Sequence, residues 1–295
     1  MSEILLGLDL GGTKIAVAAV QNDRVIKKLV VPTPREGQES VFRAMVEAGK
    51  EVLAEVGEVA GIGVGTPGPI DFRRGLVKFA PNIPGFEDAP IVQALSEGFG
   101  RHVELENDAN AAGLAEHTLG AGRGARSSVF LTVSTGIGGG IVINDRVWRG
   151  AHGIAGEVGH AIALPGGPFA GSGFAGALEA VAAGPAIARD ATMALGRKVS
   201  TAEAFDLAKA GDPKALRVVD QAASYMGIAI SNYQKAIDPE VFVIGGGVSE
   251  VGDFYLDKVR AVAEEYCQGF SEVVVRKALL GTEAGVIGAA LAARP

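Results

Sequence analysis

The sequence predicts an α/β protein built from two domains. Its length of 295 residues exceeds the usual size of a single domain. Short apolar stretches with strand character alternate with amphipathic stretches at helical spacing, which is typical of α/β folds. A strand that ends in a glycine-rich turn occurs once in each half of the chain, and this repetition indicates an internal duplication.

The first half begins with three predicted strands, ILLGLDL, IAVAAVQN and RVIKKLVVPT. Turns at Gly11-Gly12 and Asn22-Asp23 connect them into an antiparallel meander. The stretch SVFRAMVEAGKEVLAEVG has apolar residues at helical spacing and stops at Gly57, so it predicts a helix. The strand GIGVGTPGPID, the helix PIVQALSEGFG and the strand HVELE follow. Together these elements predict a mixed sheet with helices packed against it.

The second half repeats this order of elements. The strands SVFLTVST, GIGGGIVIN and DRVWRG resemble the first three, and a glycine-rich turn again follows the first of them. A long helix in KALRVVDQAASYMGIAISNYQKAID precedes the strand EVFVIGGGV, a helix ending at Gly269, the strand EVVVRKAL and a closing helix from Glu283. We therefore expect a small domain of residues 1–108 plus 283–295 and a larger domain of residues 109–282.

Composition and charge exclude several classes of function. The net charge is −7, and no run of lysine or arginine is present, which argues against a nucleic-acid or anionic-membrane surface. The opening MSEILLGLDL lacks a basic region, and Asp9 interrupts its apolar run too early for a signal peptide or membrane span. The expected location is the cytoplasm. The single cysteine, Cys267, lies in a predicted helix and allows neither an intrachain disulfide nor a cysteine metal cluster.

The first glycine-rich turn is a candidate phosphate site. Gly11 and Gly12 would present backbone N–H groups, and Thr13 and Lys14 would add a hydroxyl and an ammonium. Asp9 is an acid in a strand built for burial, and hydrated Mg²⁺ bound to a nucleotide would give it a partner. The alternative is an ordinary hairpin with a glycine turn.

Two further glycine clusters extend this hypothesis. TGIGGG, residues 135–140, occupies the equivalent place in the second repeat, so we expect the two turns to face each other across a cleft and hold one polyphosphate. IGGGV, residues 244–248, follows an apolar strand and precedes a helix, which suits packing against a nucleotide base and ribose. The alternative for this third cluster is a routine strand-to-helix connection.

A polar stretch between the halves, ELENDANAAGLAEHTLG, is the candidate catalytic segment. Asp108 starts an alanine-rich helix, so it is either the helix N-cap or a general base that accepts a hydroxyl proton. Glu106, Asn107 and Asn110 lie beside it, and a cap needs only one such side chain. This crowding favours an active site. Other polar residues flanked by small residues predict a polyol pocket, and they are Asn82, Glu157, His160 and Glu179.

Seven ordered motifs, DLGGTK, GTPGPID, APNIPGF, ENDANAA, STGIGGG, GEVGH and the late IGGG, resemble the ROK family of bacterial sugar kinases. The resemblance covers essentially the whole chain. It implies two ribonuclease H-like domains of the actin-like ATPase superfamily around a central cleft. It also implies a homodimer that uses ATP and Mg²⁺ to phosphorylate a hexose.

The resemblance assigns roles to individual residues. Asp108 matches the catalytic base, and Asp9 matches the acid that organises Mg²⁺. The positions that match sugar-binding residues are Asn82, Asn107, Asp108, Glu157, His160 and Glu179. Those that match the ATP-binding loops are Gly11, Gly12, Thr13 and Lys14, then Thr135, Gly136, Gly138 and Gly139, and finally Gly245 and Gly246.

One stretch departs from the family pattern. Family members commonly bind zinc with the spacing C-x-C-G-x-x-G-C-x-E, where this chain has AGSGFAGALE. Ala170, Ser172 and Ala177 replace the three cysteines, and His160 alone cannot supply four ligands. We therefore expect no zinc. The side chains expected to order this loop instead, by proline restriction and aromatic burial, are Pro165, Pro168, Phe169 and Phe174.

The motifs APNIPGF and ENDAN look most like the glucokinase members, so glucose is the expected substrate, phosphorylated at its 6-hydroxyl. The alternatives are N-acetylmannosamine, N-acetylglucosamine, fructose or allose, and polyphosphate could replace ATP as donor. Part of the family consists of DNA-binding repressors, but the first strand begins at about Ile4, which leaves no room for such a module. A non-catalytic sugar sensor is a further alternative, which the presence of Asp108 disfavours.

Overall fold

The computed structural model describes residues 3–294 and divides into two compact units. Unit 1 comprises the chain up to Leu119, the segment Asp145–Ala155 and the residues from Thr282 onward. Unit 2 comprises Gly120–Asn144 and Gly156–Gly281.

The strands are β1 (Ile4–Leu10), β2 (Lys14–Gln21), β3 (Arg24–Pro32), β4 (Gly61–Thr66), β5 (Ile70–Asp71), β6 (Leu76–Phe79), β7 (Glu87–Ala89), β8 (Glu104–Asn107), β9 (Ser127–Val133), β10 (Ile137–Ile143), β11 (Arg146–Val147), β12 (Val241–Gly245) and β13 (Val275–Lys277). The helices are α1 (Gln38–Val56), α2 (Ile91–Phe99), α3 (Asp108–Thr118), α4 (Leu178–Ala182), α5 (Gly184–Leu195), α6 (Thr201–Lys209), α7 (Pro213–Ile237), α8 (Asp253–Cys267) and α9 (Ala284–Ala292).

Unit 1 is built on a five-stranded sheet in the order β3-β2-β1-β4-β8. The first three strands form the predicted antiparallel meander, and β4 and β8 join it in parallel. β1 and β2 are buried along nearly their whole length, which explains their almost continuous apolar sequence. A small sheet, β5-β6-β7, lies between β4 and α2 in the chain.

The helix α9 packs directly on the sheet of unit 1 because glycines remove the side chains between them. A Cβ at Gly7 would meet the carbonyl of Val286, and a Cβ at Gly63 would meet that of Ala289. α9 also lies against α3, where a Cβ at Gly288 would collide with the backbone of Ala111. The glycine and alanine content of these segments therefore reflects close backbone packing.

A second five-stranded sheet has the same arrangement, β11-β10-β9-β12-β13. Four of its strands belong to unit 2, and the two-residue strand β11 falls in the segment Asp145–Ala155 that is counted with unit 1. β9 and β10 are antiparallel, and β12 and β13 run parallel to β9. Each position matches its counterpart in unit 1, so the two sheets support the predicted internal duplication. The long helix α7 packs against α8, whose Cys267 is fully buried with its thiol 3.8 Å from the carbonyl of Ser231.

The division into units differs from the predicted boundaries at residue 108, within the second half, and by one residue at Thr282. The chain through α3 and Leu119 belongs to unit 1, where α3 packs on α9, whereas the prediction places residues 109–282 in the larger domain. The segment Asp145–Ala155 also belongs to unit 1, where Arg149 pairs with Glu106. Such long-range pairing has no signature in the local sequence.

Several elements also differ from the sequence prediction. GIGVGTPGPID forms two strands, β4 and β5, instead of one, because Pro67 and Pro69 interrupt the hydrogen-bonding pattern. DRVWRG forms a strand of only two residues. The sequence analysis did not identify α4, α5, α6 or the strands β6 and β7. Across residues 3–294, no helix has the length and apolar character that crossing a membrane requires.

Candidate active site

Asp9 lies near the end of β1, against the beginning of α9. A Cβ at Gly285, in the first turn of that helix, would be 2.7 Å from Oδ2 of Asp9. Burial and the charge of Asp108 raise the pKa of Asp9, Lys14 and Lys28 lower it, and the net result is a pKa of about 6. No residue within 3–294 donates a hydrogen bond to this carboxylate. Asp9 is therefore a largely desolvated acid that lacks a fixed partner.

The first glycine turn joins β1 to β2 and is fixed from within unit 1. The Gly11 N–H donates to the carbonyl of Lys14 at 2.9 Å, and the Thr33 hydroxyl donates to the carbonyl of Gly11 at 2.7 Å. Thr33 also donates its N–H to the carbonyl of Thr13 at 3.1 Å. The side chains of Thr13 and Lys14 are left exposed, so they can reach a ligand.

Asn82 lies directly on this turn. A Cβ at Gly12 would be 3.0 Å from Cβ of Asn82 and 3.1 Å from its carbonyl oxygen. The Asn82 loop is itself closed by hydrogen bonds from the Ile83 N–H to the Ala80 carbonyl and from the Phe86 N–H to the Ile83 carbonyl. Unit 1 thus brings a predicted sugar-binding residue into contact with a predicted phosphate loop.

The sequence leaves two roles open for Asp108, helix capping and general-base catalysis, and the structure gives the capping role to another residue. Asn107 is the N-cap of α3, because its side-chain oxygen accepts from the N–H groups of Ala109 at 3.0 Å and Asn110 at 3.1 Å. Asp108 is the first helical residue, and its Oδ1 accepts from the Ala109 N–H at 2.8 Å. Burial raises the pKa of Asp108, and hydrogen bonds from the N–H groups of Ala109 and of Asp108 itself and from the Asn107 side chain oppose that effect. The capping alternative for Asp108 is therefore wrong.

Glu106 is a buried carboxylate held by partners on both sides. Its Oε1 accepts from the Asn107 N–H and from Nδ2 of Asn110, each at 2.9 Å. Its Oε2 accepts from Nε of Arg149 at 2.8 Å. The sequence marks Glu106 only as a polar neighbour of the predicted base, and it gives no sign of Arg149, which is 43 positions away in the chain and carries no motif.

The second glycine turn, in unit 2, contacts Glu179. The Ser134 N–H closes the turn by donating to the carbonyl of Gly136 at 2.9 Å. Oε2 of Glu179 accepts from the Ile137 N–H at 3.3 Å, and a Cβ at Gly136 would be 2.5 Å from the same oxygen. As with Asn82 in unit 1, a predicted sugar-binding residue lies on a predicted phosphate turn. Thr135 is exposed at the tip.

The third glycine cluster lies beside the second turn within unit 2. Gly246 has φ of 83°, and a Cβ there would be 2.5 Å from the carbonyl of Val133, the last residue of β9. That same carbonyl accepts from the Val248 N–H at 3.0 Å. Gly245 packs against the ring of Phe130. These contacts require glycine for backbone packing, and they place the two loops next to each other.

The GEVGH motif forms a short 3-10 turn, Val158–His160, that packs on β10. Gly139 is needed there, because a Cβ at that position would be 2.7 Å from the Val158 side chain. The Tyr233 hydroxyl donates to the carbonyl of Val158 at 2.9 Å, and the sequence analysis missed this support. Glu157 and His160 lie 3.6 Å apart, between Oε2 and Nε2. All the site residues predicted for the second repeat therefore lie on connected segments of unit 2.

The loop at residues 161–177 is ordered by its backbone. The N–H groups of Ala163 and Leu164 both donate to the carbonyl of Gly176, at 2.8 and 3.0 Å. Ala170 and Ala177, at two of the family's cysteine positions, are buried together with Ala180. The expectation that aromatic burial orders the loop is wrong, since the exposed fractions are 76% for Phe169 and 55% for Phe174.

The donor set at this loop does not fit zinc. Nδ1 of His160 is buried without a hydrogen-bond partner, but alanines and a serine occupy the other ligand positions. Mg²⁺ is different, because it retains several waters and needs only one or two carboxylates together with phosphate oxygens. Asp9, an oxygen donor without a fixed partner, fits that requirement. No group of three or more metal-binding side chains occurs among residues 3–294.

Comparisons with known proteins agree with this arrangement. The family model described as "ROK family" matches residues 5–295. The glucokinase of Thermotoga maritima is 37% identical over 97% of this chain and 96% of its own length, and the N-acetylmannosamine kinase of Yersinia pestis is 35% identical over 98% of each chain.

Among solved structures, the ROK hexokinase of Thermus thermophilus is 53% identical with a TM-score of 0.93, covering 98% of this chain and 97% of its own. A ROK family glucokinase from Streptomyces griseus, solved in complex with glucose and AMPPNP, is 33% identical with a TM-score of 0.81 and 99% coverage of both chains. The chain therefore has the α/β fold of these ROK kinases, which is the ribonuclease H-like fold of the actin-like ATPase superfamily expected from the motifs. The chain belongs to the ROK family.

Proposed function

We propose that this chain is an ATP-dependent hexose kinase that transfers the γ-phosphoryl group to the 6-hydroxyl of glucose. The observation that carries the proposal is the state of Asp108. Asn107 performs the capping, so Asp108 is available for chemistry at the start of α3. Burial raises the pKa of Asp108, which makes its carboxylate a stronger base than an exposed aspartate.

In the proposed step, Asp108 accepts the proton of the sugar hydroxyl as that oxygen attacks the γ-phosphorus. The bond between the γ-phosphorus and the β–γ bridging oxygen breaks, and ADP leaves with its electron pair. Little covalent chemistry is asked of the protein beyond this proton transfer, so positioning and charge stabilisation supply most of the rate.

The phosphate groups would be held by residues on the glycine turns. Lys14 and Thr13 are exposed on the first turn, and Thr135 is exposed on the second. Glycines at both turns allow phosphate oxygens to approach the backbone N–H groups. Asp9 would hold Mg²⁺ through water, and the bound cation would neutralise charge on the phosphates. The adjacent third loop, with Gly245 and Gly246, would pack against the adenosine.

The side chains that would hold the hexose by hydrogen bonds are Asn82, Asn107, Asp108, Glu157, His160 and Glu179. A site that hydrogen-bonds each hydroxyl rejects an analogue lacking one by about 10⁴-fold in favourable cases. N-acetylmannosamine is the second candidate, because a kinase for that sugar is nearly as similar to this chain as the glucokinases are.

We also propose that the protein is a homodimer, which sedimentation analysis tests. The proposed location is the cytoplasm, where ATP is available.

An ADP-release assay with Mg²⁺-ATP over a panel of hexoses tests the function. We expect release with glucose and none without sugar. ADP release with N-acetylmannosamine but not with glucose would establish the second candidate substrate. No ADP release with any hexose of the panel would refute the proposed kinase function. Replacing ATP with polyphosphate in the same assay tests the donor.

A further inference from the structure

The ion pair between the buried Glu106 and the half-buried Arg149 connects three separate parts of unit 1. Arg149 lies in Asp145–Ala155, a segment that belongs to unit 1 although the residues before and after it in the sequence belong to unit 2. Glu106 lies in β8, two residues before Asp108, and only 1% of its surface is exposed. The third part is Phe72, just after β5, whose ring centre is 4.4 Å from Cζ of Arg149.

Arg149 uses its planar guanidinium to contact three acceptors on β8. Nε donates to Oε2 of Glu106 at 2.8 Å. Nη2 donates to Oε1 of Glu104 at 3.0 Å and to the carbonyl of Leu105 at 3.1 Å. A lysine has no such fork and cannot reach all three acceptors at once. The end of β8, where α3 begins, is thus fixed by one side chain from a distant segment.

The fixed carboxylate of Glu106 in turn determines the geometry of the first turn of α3. Its Oε1 accepts from the Asn107 N–H and from Nδ2 of Asn110. These two donors lie before and after Asp108 in the chain, so Glu106 bridges the turn that contains Asp108. A buried carboxylate that has lost its cation is destabilised and moves toward water, and this movement disturbs these two contacts. Arg149 therefore acts on Asp108 through Glu106.

We propose that Arg149 is a positioning residue for the catalytic base, which rests on the proposed kinase function. Its ion pair with Glu106 holds Asn107 and Asn110 so that the carboxylate of Asp108 is correctly placed for the sugar hydroxyl. The proposal gives Arg149 no contact with either substrate. A misplaced base slows the chemical step, whereas the proposed ATP contacts lie on other segments and remain. Loss of Arg149 therefore lowers kcat, leaves KM for ATP nearly unchanged, and raises KM for glucose by less than kcat falls, because Asn107 and Asp108 also contact the sugar.

Steady-state kinetics of Arg149→Met test this inference. Methionine keeps an apolar stem beside Phe72 but removes every donor. We expect kcat per folded molecule to fall at least about tenfold, with KM for ATP within about threefold of wild type and KM for glucose rising by less than kcat falls. The kcat of Arg149→Lys should lie between those of wild type and Arg149→Met, because lysine keeps the charge but lacks the forked set of donors. Arg126→Met is the matched control, since Arg126 forms an exposed ion pair with Glu240 in unit 2.

A double variant, Glu106→Gln/Arg149→Met, separates positioning from damage to the fold. Glutamine retains an oxygen for the Asn107 N–H and leaves no stranded charge, so we expect the double variant to have a higher kcat than Arg149→Met. Unchanged kcat in folded Arg149→Met, or a fall matched by Arg126→Met, would overturn the inference. If Arg149→Met does not fold, the same test is made on Arg149→Lys, where unchanged kcat would overturn it. Wild-type protein that releases no ADP would instead refute the kinase function.

Discussion

Asp9 shows how a functional residue can oppose the stability of its own fold. Its carboxylate is buried near a second acid, Asp108, and receives no hydrogen bond from residues 3–294. The pKa of Asp9 rises from its ordinary value of 3.8 to about 6, so the folded protein binds this proton more tightly than the unfolded chain does. The stability that protonation provides is complete below pH 3.8 and is lost as the pH rises through about 6.

Asp9→Asn should therefore stabilise the ligand-free protein at about pH 7.5 while reducing activity. The shift of roughly two pH units corresponds to up to about 3 kcal/mol in the free energy of unfolding. Thermal melting at about pH 7.5 and about pH 4 measures the effect, and the gain should shrink at the lower pH because the wild-type carboxyl is then protonated.

Asp23→Asn is the control for this experiment. Asp23 forms an exposed ion pair with Arg294, and asparagine tolerates its φ of 62°. An equal gain for Asp9→Asn at both pH values would contradict the burial argument.

At the scale of elements, each predicted phosphate turn has a glycine against which a predicted sugar-binding residue packs. Asn82 lies on Gly12 in unit 1, and Glu179 lies on Gly136 in unit 2. Neither contact follows from the sequence, where 70 and 43 positions separate the partners. Each glycine therefore supports two proposed binding functions, approach of the phosphate and placement of the sugar ligand.

Gly12→Ala should affect sugar binding as well as ATP binding. The added Cβ would be 3.0 Å from Cβ of Asn82, so the Asn82 loop must shift. We expect KM for the hexose to rise about tenfold, equivalent to about 1.4 kcal/mol. Gly171→Ala, where a Cβ meets no atom within 4 Å, is the matched control. A rise in KM for ATP alone would show that Asn82 is not coupled to the turn.

The loop at residues 161–177 should not depend on metal. Backbone hydrogen bonds and the small cluster of Ala170, Ala177 and Ala180 order it, and the donor set does not fit zinc. We expect elemental analysis to find no stoichiometric zinc, and the Tm of the ligand-free protein to be unchanged by EDTA. Stoichiometric zinc, or a lower Tm after chelation, would contradict this account.

Local patterns predicted the elements that local physics determines. The first meander, α1 and the glycine turns all follow from apolar spacing and turn residues. The strands β6 and β7 are short and only partly buried, so they lack a clear alternation. The site was predicted less completely, because the roles of Arg149 and Tyr233 arise from contacts over 43 and 75 positions. The capping role of Asn107 instead of Asp108 depended on a one-residue helix boundary.

At the scale of the whole molecule, one sheet order is used twice for different purposes. β3-β2-β1-β4-β8 and β11-β10-β9-β12-β13 have equivalent strands in equivalent places. The turn after the first strand carries Gly12 in unit 1 and Gly136 in unit 2. Unit 1 adds the acids Asp9 and Asp108, whereas unit 2 adds the third glycine loop. The duplication thus provides two glycine turns, and later divergence supplies the proposed base and the proposed adenosine contact.

The central claim is that Asp108 is the base of a phosphoryl transfer to glucose. The most direct test measures ADP release by Asp108→Asn with glucose and Mg²⁺-ATP, alongside glucose binding by calorimetry, with Asp23→Asn as control. The account predicts that kcat falls at least about 10²-fold while the Kd for glucose stays within about threefold of wild type. Turnover near the wild-type rate in Asp108→Asn would contradict it.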